Sequence, residues 1–441
     1  MRKHGTVVKS DKQTFPVKVE GIPDGSNLLL DNPPVSIRML SDILPEEPLL
    51  MMGAGPVPIP AAVAHANSIV INHLGDAMVT VVEQVKSMAS YVFQSSTARI
   101  LGVAGPGSAA MEMAVANLLE PGDKCLNICN GYFSSRLAEM ATRLGADCVR
   151  HTVAERESVT AEEVARLLEK HSPTVMTIVQ GETSSTVCNR QLPLICEAAR
   201  KHGCLVIVDA VCTLSTMPLQ MEAWGIDAVI TGGQKGLSSI PGVSLVAFSE
   251  RAWTKRRTRK SELSHWCLDA LLADRFWYGK SYHYTAPVSG VLALHEALRL
   301  VCQETLPVRF HRHIRSSRAL QSGIEACGLK LYVDSEHRLD SVVGICLPEN
   351  IDATELMNYT SKRYRVEISG SFGAPIVRIG QMGEQCRSHN VFRAFHALGS
   401  SLSTLGASVD VPGGMSTLER SLAELEQSLA APDDSYQPQT A

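Results

Sequence analysis

Three charged residues stand alone in apolar surroundings, and their types complement one another. Lys235 is the only charged residue between Asp227 and Glu250. Its neighbours in Ile230-Thr231-Gly232-Gly233-Gln234-Lys235-Gly236-Leu237-Ser238 are glycine, hydroxyl, amide and aliphatic residues. Burial disfavours the ammonium form, so a lysine in a partly dry site loosens its proton, and the free amine is a nucleophile. Asp209 closes the β-branched run Leu205-Val206-Ile207-Val208, and no other Asp, Glu, Lys or Arg lies between Lys201 and Glu222. A carboxylate in such a place needs a partner to stay ionised. Arg378 is the only ionisable residue between Glu367 and Glu384, and its planar fork suits a carboxylate or a phosphate. Each also has a plainer reading: an ordinary half-buried lysine, an aspartate capping a turn, an arginine in an internal salt bridge.

Together the three fit the needs of pyridoxal 5′-phosphate (PLP). That cofactor requires a lysine for its aldehyde, an anion to keep the ring nitrogen protonated, and a cation for a substrate carboxylate. A metal hydrolase would want clustered His and acidic residues, and a serine hydrolase a nucleophile elbow. Neither pattern is visible.

The elements that must position these residues alternate. Strands are expected at 100–104, 124–129, 147–152, 174–179, 204–209 and 226–231. Helices are expected at 76–94, 109–119, 134–144, 160–171 and 190–202. Strand–helix alternation predicts an α/β fold, a mainly parallel sheet covered on both faces with ligands at the carboxyl ends of its strands. Gly105-Pro106-Gly107-Ser108 reads as a turn whose following helix offers N–H groups to a phosphate. From about 310 the order becomes helix, strand, strand, helix, strand, helix. The expected organisation is an N-terminal arm at 1–48, a large domain at 49–310, a smaller α+β domain at 311–407, and a terminal helix and tail at 408–441.

Composition agrees with a soluble enzyme-sized protein: 441 residues, 45% hydrophobic, 20% charged, net charge −4. A slightly acidic chain does not point to nucleic acid, and the basic run 255–260 reads as a solvated face. Twelve cysteines without metal-type spacing read as free thiols in a reducing, cytoplasmic compartment. No signal peptide, membrane span or peroxisomal address is expected.

The residues also resemble a family. Between about 49 and 405 the chain resembles the class V, fold type I, PLP-dependent aminotransferases. The likeness is greatest to the alanine–glyoxylate, serine–pyruvate and serine–glyoxylate branch, and extends to pyridoxamine–pyruvate aminotransferase. The motifs carrying the likeness include Gly53-Ala54-Gly55-Pro56, Glu120-Pro121-Gly122-Asp123, Asn130-Gly131-Tyr132-Phe133, Gly181-Glu182-Thr183-Ser184, Val208-Asp209-Ala210-Val211, Gly233-Gln234-Lys235 and Arg378-Ile379-Gly380.

The resemblance implies a role for each matching position. Lys235 would hold the cofactor and move the substrate proton, and Asp209 would pair with the ring nitrogen. Phe133 and Val211 would cover the two ring faces, with Thr183 near the ring hydroxyl. Gly107, Ser108 and Gln234 would cradle the phosphate, helped by Tyr282 and Thr285 from the second subunit of a homodimer. Arg378 and the backbone at Gly55 would take the substrate carboxylate. The implied reaction is transamination between a small amino acid, such as alanine or serine, and glyoxylate or pyruvate. The alternatives are pyridoxamine–pyruvate transfer or another class V reaction such as a lyase or desulfurase; the loop before Arg378 has no cysteine, and Cys386 lies beyond it. The resemblance leaves open whether dimers pair into tetramers. Pro106-Gly107-Ser108 stands where the glyoxylate enzymes carry Ser-Gly-His, and Gly53-Ala54 where they carry Gly-Pro. Both departures bear on the identity of the amino donor.

Overall fold

The computed structural model describes residues 38–430, so expectations for residues 1–37 and 431–441 lie outside it. The chain divides into two compact units, residues 1–48 and 49–441. In the first, Leu40–Ile43 forms a single helical turn.

In the second unit, the buried β-branched runs pair into a seven-stranded sheet. Its strands are β1 (Arg99–Ala104), β2 (Lys124–Cys129), β3 (Asp147–Thr152), β4 (Val175–Val179), β5 (Leu205–Asp209), β6 (Ala228–Gly232) and β7 (Val243–Phe248). They lie in the order β1-β7-β6-β5-β4-β2-β3. β7 runs antiparallel to both neighbours and the other pairings are parallel. Every residue of β4 to β7 is buried, as expected of strands covered on both faces.

The helices of this unit include α1 (Asp76–Phe93), α2 (Gly107–Leu118), α3 (Tyr132–Arg143), α4 (Ala161–His171), α5 (Leu192–Lys201), α6 (Val288–Glu304) and α7 (Leu306–Ala326). A second apolar core lies beyond them, built on the strands β8 (Lys330–Leu331), β9 (Val342–Cys346), β10 (Ser369–Gly370) and β11 (Ile376–Gly380) in the order β8-β9-β11-β10. Over it pack α8 (Ala353–Tyr364), α9 (Ser388–Thr404) and α10 (Val411–Ala430). Among the described residues no helix is long and apolar enough to cross a membrane.

Three boundaries differ from expectation. Helix α2 starts at Gly107, so Gly107 and Ser108 belong to its first turn and Pro106 is its N-cap; proline's fixed φ leads into a helix without strain. Helix α7 runs straight through the expected boundary at 310. Helix α10 starts at Val411, not at the expected 408, and takes in Pro412-Gly413-Gly414. The Asp410 carboxylate accepts the Gly413 N–H at 3.0 Å, which caps the helix start. A Cβ at Gly414 would lie 2.7 Å from Cys327 Cβ and 2.8 Å from the Gly323 carbonyl oxygen, so glycine there permits close packing on α7.

A buried ion cluster joins α6 to α7. Glu304 accepts from Arg309 Nη1 at 2.6 Å and from Arg312 Nη2 at 2.9 Å. Arg309 Nη2 donates to the Gly236 carbonyl at 2.6 Å. Arg312 Nη1 donates to the Gly383 carbonyl at 2.7 Å, and His313 Nε2 accepts the Gly383 N–H at 2.9 Å. Burial alone would raise the Glu304 pKa, but the hydrogen bond from Arg312 and the charges of both arginines hold it at about 2. A carboxyl held below its unfolded value stabilises the fold above that value, about 4.3. The contribution fades as pH falls towards 2. Glu304→Gln should therefore lower stability by about 2 kcal/mol at neutral pH, a figure discounted for partial exposure. The gap between the melting curves of variant and wild type should narrow below about pH 4; a gap that does not change with pH would contradict this account.

Candidate active site

The carboxyl ends of β1, β2, β4, β5 and β6 share one edge of the sheet, because these strands are parallel to one another. Beyond that edge the starts of α2 and α3 carry Gly107 and Phe133, turns carry Thr183 and Lys235, and Asp209 is the last residue of β5. A cleft of about 210 Å³ opens there. Gly107, Ser108, Phe133 and Thr183 line it, as do Asp209, Val211, Gln234 and Lys235.

Lys235 sits in the turn after β6, whose Gly236 carbonyl is held by Arg309 from behind. Its Nζ donates to the Ala54 carbonyl, and burial lowers its pKa. Gly55 follows with φ +97°, and a Cβ there would overlap the Lys235 amine. Only glycine lets the backbone pass this close. Asp209 is buried and accepts the Val211 N–H at 2.8 Å. Burial pushes its carboxyl up to about 7, against the opposing pull of that N–H and of the Lys235 and Arg136 charges. Among the described residues no ion pair joins Lys235 to Asp209. The two face one cavity with their charges unspent on each other.

Arg378, on β11, lies 4% exposed. Its Nε donates to the Gly370 carbonyl at 2.7 Å, and its Nη1 to the Thr183 carbonyl at 2.7 Å. No carboxylate pairs with it among the described residues, and burial lowers its pKa to about 10, leaving it charged at neutral pH. It is a desolvated cation bonded to neutral groups. The internal salt bridge that could have explained it is not there.

The structure does not bring Tyr282 and Thr285 into this cleft. Both are exposed, and the Tyr282 ring packs edge-on against His73 at 5.8 Å. Four lining residues went unread in the sequence: Met111, Arg136, Gly181 and Cys212. Arg136 follows Phe133 by one helical turn, and that spacing was the available signal. The Cys212 thiol donates to the Gly181 carbonyl at 3.2 Å, and burial holds its pKa well above the ordinary value, so it stays protonated. Glu182, fully buried, accepts the N–H of Ser134 at 2.8 Å and the hydroxyl of Ser184 at 2.6 Å. It fixes the first turn of α3, which carries Phe133 over the cleft.

A family model for class V aminotransferases matches residues 61–391. Alanine–glyoxylate aminotransferase of Mus musculus is 33% identical over 387 residues, covering 86% of this chain and 92% of that protein. The crystal structure of ureidoglycine–glyoxylate aminotransferase from Bacillus subtilis is similar with a TM-score of 0.83 at 29% identity, covering 86% of this chain and 99% of that one. Pyridoxamine–pyruvate aminotransferase from Mesorhizobium loti gives 0.82 at 25% identity, with coverage of 86% and 99%. With a family match over well more than half its length and a relative 33% identical over 86% of it, this chain belongs to the class V aminotransferases.

Proposed function

We propose that the protein is a PLP-dependent transaminase that moves an amino group between a small amino acid, such as alanine or serine, and a small 2-oxo acid, glyoxylate or pyruvate. One observation carries the reading: the Lys235 amine and the Asp209 carboxylate share a cleft without pairing. That arrangement suits a group with an aldehyde at one end and a basic ring nitrogen at the other.

The surroundings fit the cofactor. Gly107 can bear no Cβ, which would stand 2.9 Å from Val211. The first N–H groups of α2 have no helical acceptor. Gln234 is buried in the cleft lining, with an amide nitrogen that can donate to a phosphate. Asp209, raised by burial, gains most from a cation placed against it.

When bound, PLP supplies a ring that accepts the electron pair left on the substrate Cα. The chain's own groups do the rest. Lys235 would hold the cofactor's aldehyde carbon, and its amine, whose pKa burial lowers, would take the proton from the substrate Cα. Asp209 accepts the ring N–H. Phe133 and Val211, which line the cleft, would cover the ring, Thr183 would lie near its hydroxyl, and Gly107, Ser108 and Gln234 would receive the phosphate. Arg378 orients the substrate through its carboxylate, with the Gly55 backbone closing over it. Tyr282 and Thr285 reach the phosphate of a second copy in a homodimer, which their exposure and distance from their own cleft support. A cytoplasmic location belongs to this reading and is supported by twelve free cysteines.

A second reading, transfer from free pyridoxamine to pyruvate, draws support from Pro106, which brings no N–H to the phosphate corner, and from the likeness to the Mesorhizobium loti enzyme. Mixing the purified protein with L-alanine, L-serine or free pyridoxamine separates the two. Loss of the visible cofactor band with the amino acids is expected; turnover of pyridoxamine and pyruvate alone would favour the second reading.

Borohydride should fix the cofactor covalently to the wild type and not to Lys235→Ala, as read by intact mass. Label retained on the variant would remove Lys235 from its role. Arg378→Ala should raise KM for the amino acid and the oxo acid by about a hundredfold, with PLP affinity within about threefold of wild type. An unchanged KM would mean that the substrate carboxylate binds elsewhere.

A further inference from the structure

Arg136 holds a place in the cleft that the roles above leave unused. It leaves α3 one turn after Phe133, on the same face. Its Nη1 donates to Ser108 Oγ at 2.8 Å, and its guanidinium carbon lies 5.1 Å from the ring centroids of both Tyr132 and Phe133. The two rings stand edge to face at 89° and flank the guanidinium from two sides. Among the described residues no carboxylate stands within ion-pairing distance of it. Glu182 is engaged by Ser134 and Ser184. A group with five N–H donors therefore faces the cavity with one neutral acceptor recorded.

The corner it faces is rich in donors and short of negative charge. Ser108 is the second residue of α2, a helix of 12 residues, and the N–H groups of this first turn point out of the helix at the positive end of its dipole. Gln234, whose Nε2 can donate to a phosphate, lines the same corner, 9% exposed, with its acceptor Oε1 unpartnered. A Cβ built on Gly232 would lie 2.9 Å from that atom and 3.3 Å from Gly107, which brings the amide and the helix start together. Pro106, just before, has neither N–H nor hydroxyl to give.

We propose that Arg136 is a cofactor-binding residue that grips the phosphate at the start of α2, supplying the charged donor that Pro106 cannot. The proposal rests on the PLP reading above and adds to it a residue that the family motifs did not mark. It also bears on the choice between the two readings, since a guanidinium at this corner would have no purpose for an unphosphorylated ligand.

The test uses cofactor-stripped protein titrated with PLP and, separately, with pyridoxal, which reaches the same lysine without a phosphate. Absorbance and protein fluorescence read the two affinities. Arg136→Met should weaken PLP by about tenfold to a hundredfold and leave pyridoxal within about threefold. Arg136→Lys, which keeps the charge but loses the fork, should fall between. In the wild type, inorganic phosphate should compete with PLP, and the Met variant should need about tenfold more of it. Equal losses for both ligands would make Arg136 a structural residue and overturn the proposal, as would no loss for either. PLP affinity unchanged, with KM raised only for substrates bearing a second carboxylate, would overturn it by assigning Arg136 to the substrate. A wild type that binds neither ligand would bring down the PLP reading and this inference with it.

Discussion

A primary amine held in a dry cleft against a backbone carbonyl is the constraint on which the rest of this structure depends. Lys235 gives its hydrogen bond to Ala54 and not to Asp209, although both side chains line the same cavity. A direct pair would lower the energy of both charges and neutralise the site. Keeping them apart takes a rigid frame on each side. Ahead of the lysine, the chain at Ala54-Gly55 can press against the amine because Gly55 has no side chain and takes a left-handed φ. Behind it, Arg309 reaches from α7 to the Gly236 carbonyl.

That rear support links the lysine turn to the second core. Arg309 is tied to Glu304, Glu304 to Arg312, and Arg312 to the carbonyl of Gly383. His313 Nε2 takes the N–H of that same glycine. Arg309 and His313 are buried, Glu304 and Arg312 half-buried, and each arginine has at least one carbonyl and one carboxylate partner. The cluster thus meets the condition under which buried charges are tolerated. It makes α7 a strut between the turn that carries Lys235 and the turn that follows Arg378 on β11, two segments that must keep a fixed spacing if one substrate is to touch both.

How much of this was legible follows from contrast. Lys235, Asp209 and Arg378 could be read because each is a charge without charged neighbours, and a charge isolated in sequence is usually isolated in space for a reason. The parallel sheet could be read because its strands are buried on both faces and so appear as unbroken apolar runs. Arg136 could not be read this way. In Ser134-Ser135-Arg136-Leu137-Ala138-Glu139 it looks like any cation on a solvated helix face, and only the Ser108 contact and the flanking rings show where it points. Glu304, Arg309 and Arg312 were hidden for the opposite reason: in a charged helix nothing distinguishes a buried ion from a surface one. The start of α2 was misjudged by two residues because Gly-Pro-Gly reads as a turn, whereas Pro106 in fact caps the helix.

Arg378 is a buried cation with no carboxylate paired to it among the described residues. Its guanidinium is bonded to the carbonyls of Gly370 and Thr183, dipoles that satisfy its geometry but not its charge. Burial has already removed most of its water, which is why its pKa falls to about 10. A ligand carboxylate arriving there therefore meets a cation whose desolvation was completed when the protein folded. The carbonyls that hold it come from different places, Gly370 beside β11 and Thr183 from the turn after β4. Ser371 also donates to the Ser184 carbonyl. The fork is thus aimed by the contact between the two cores, and its hold on any carboxylate placed there would depend on how they pack.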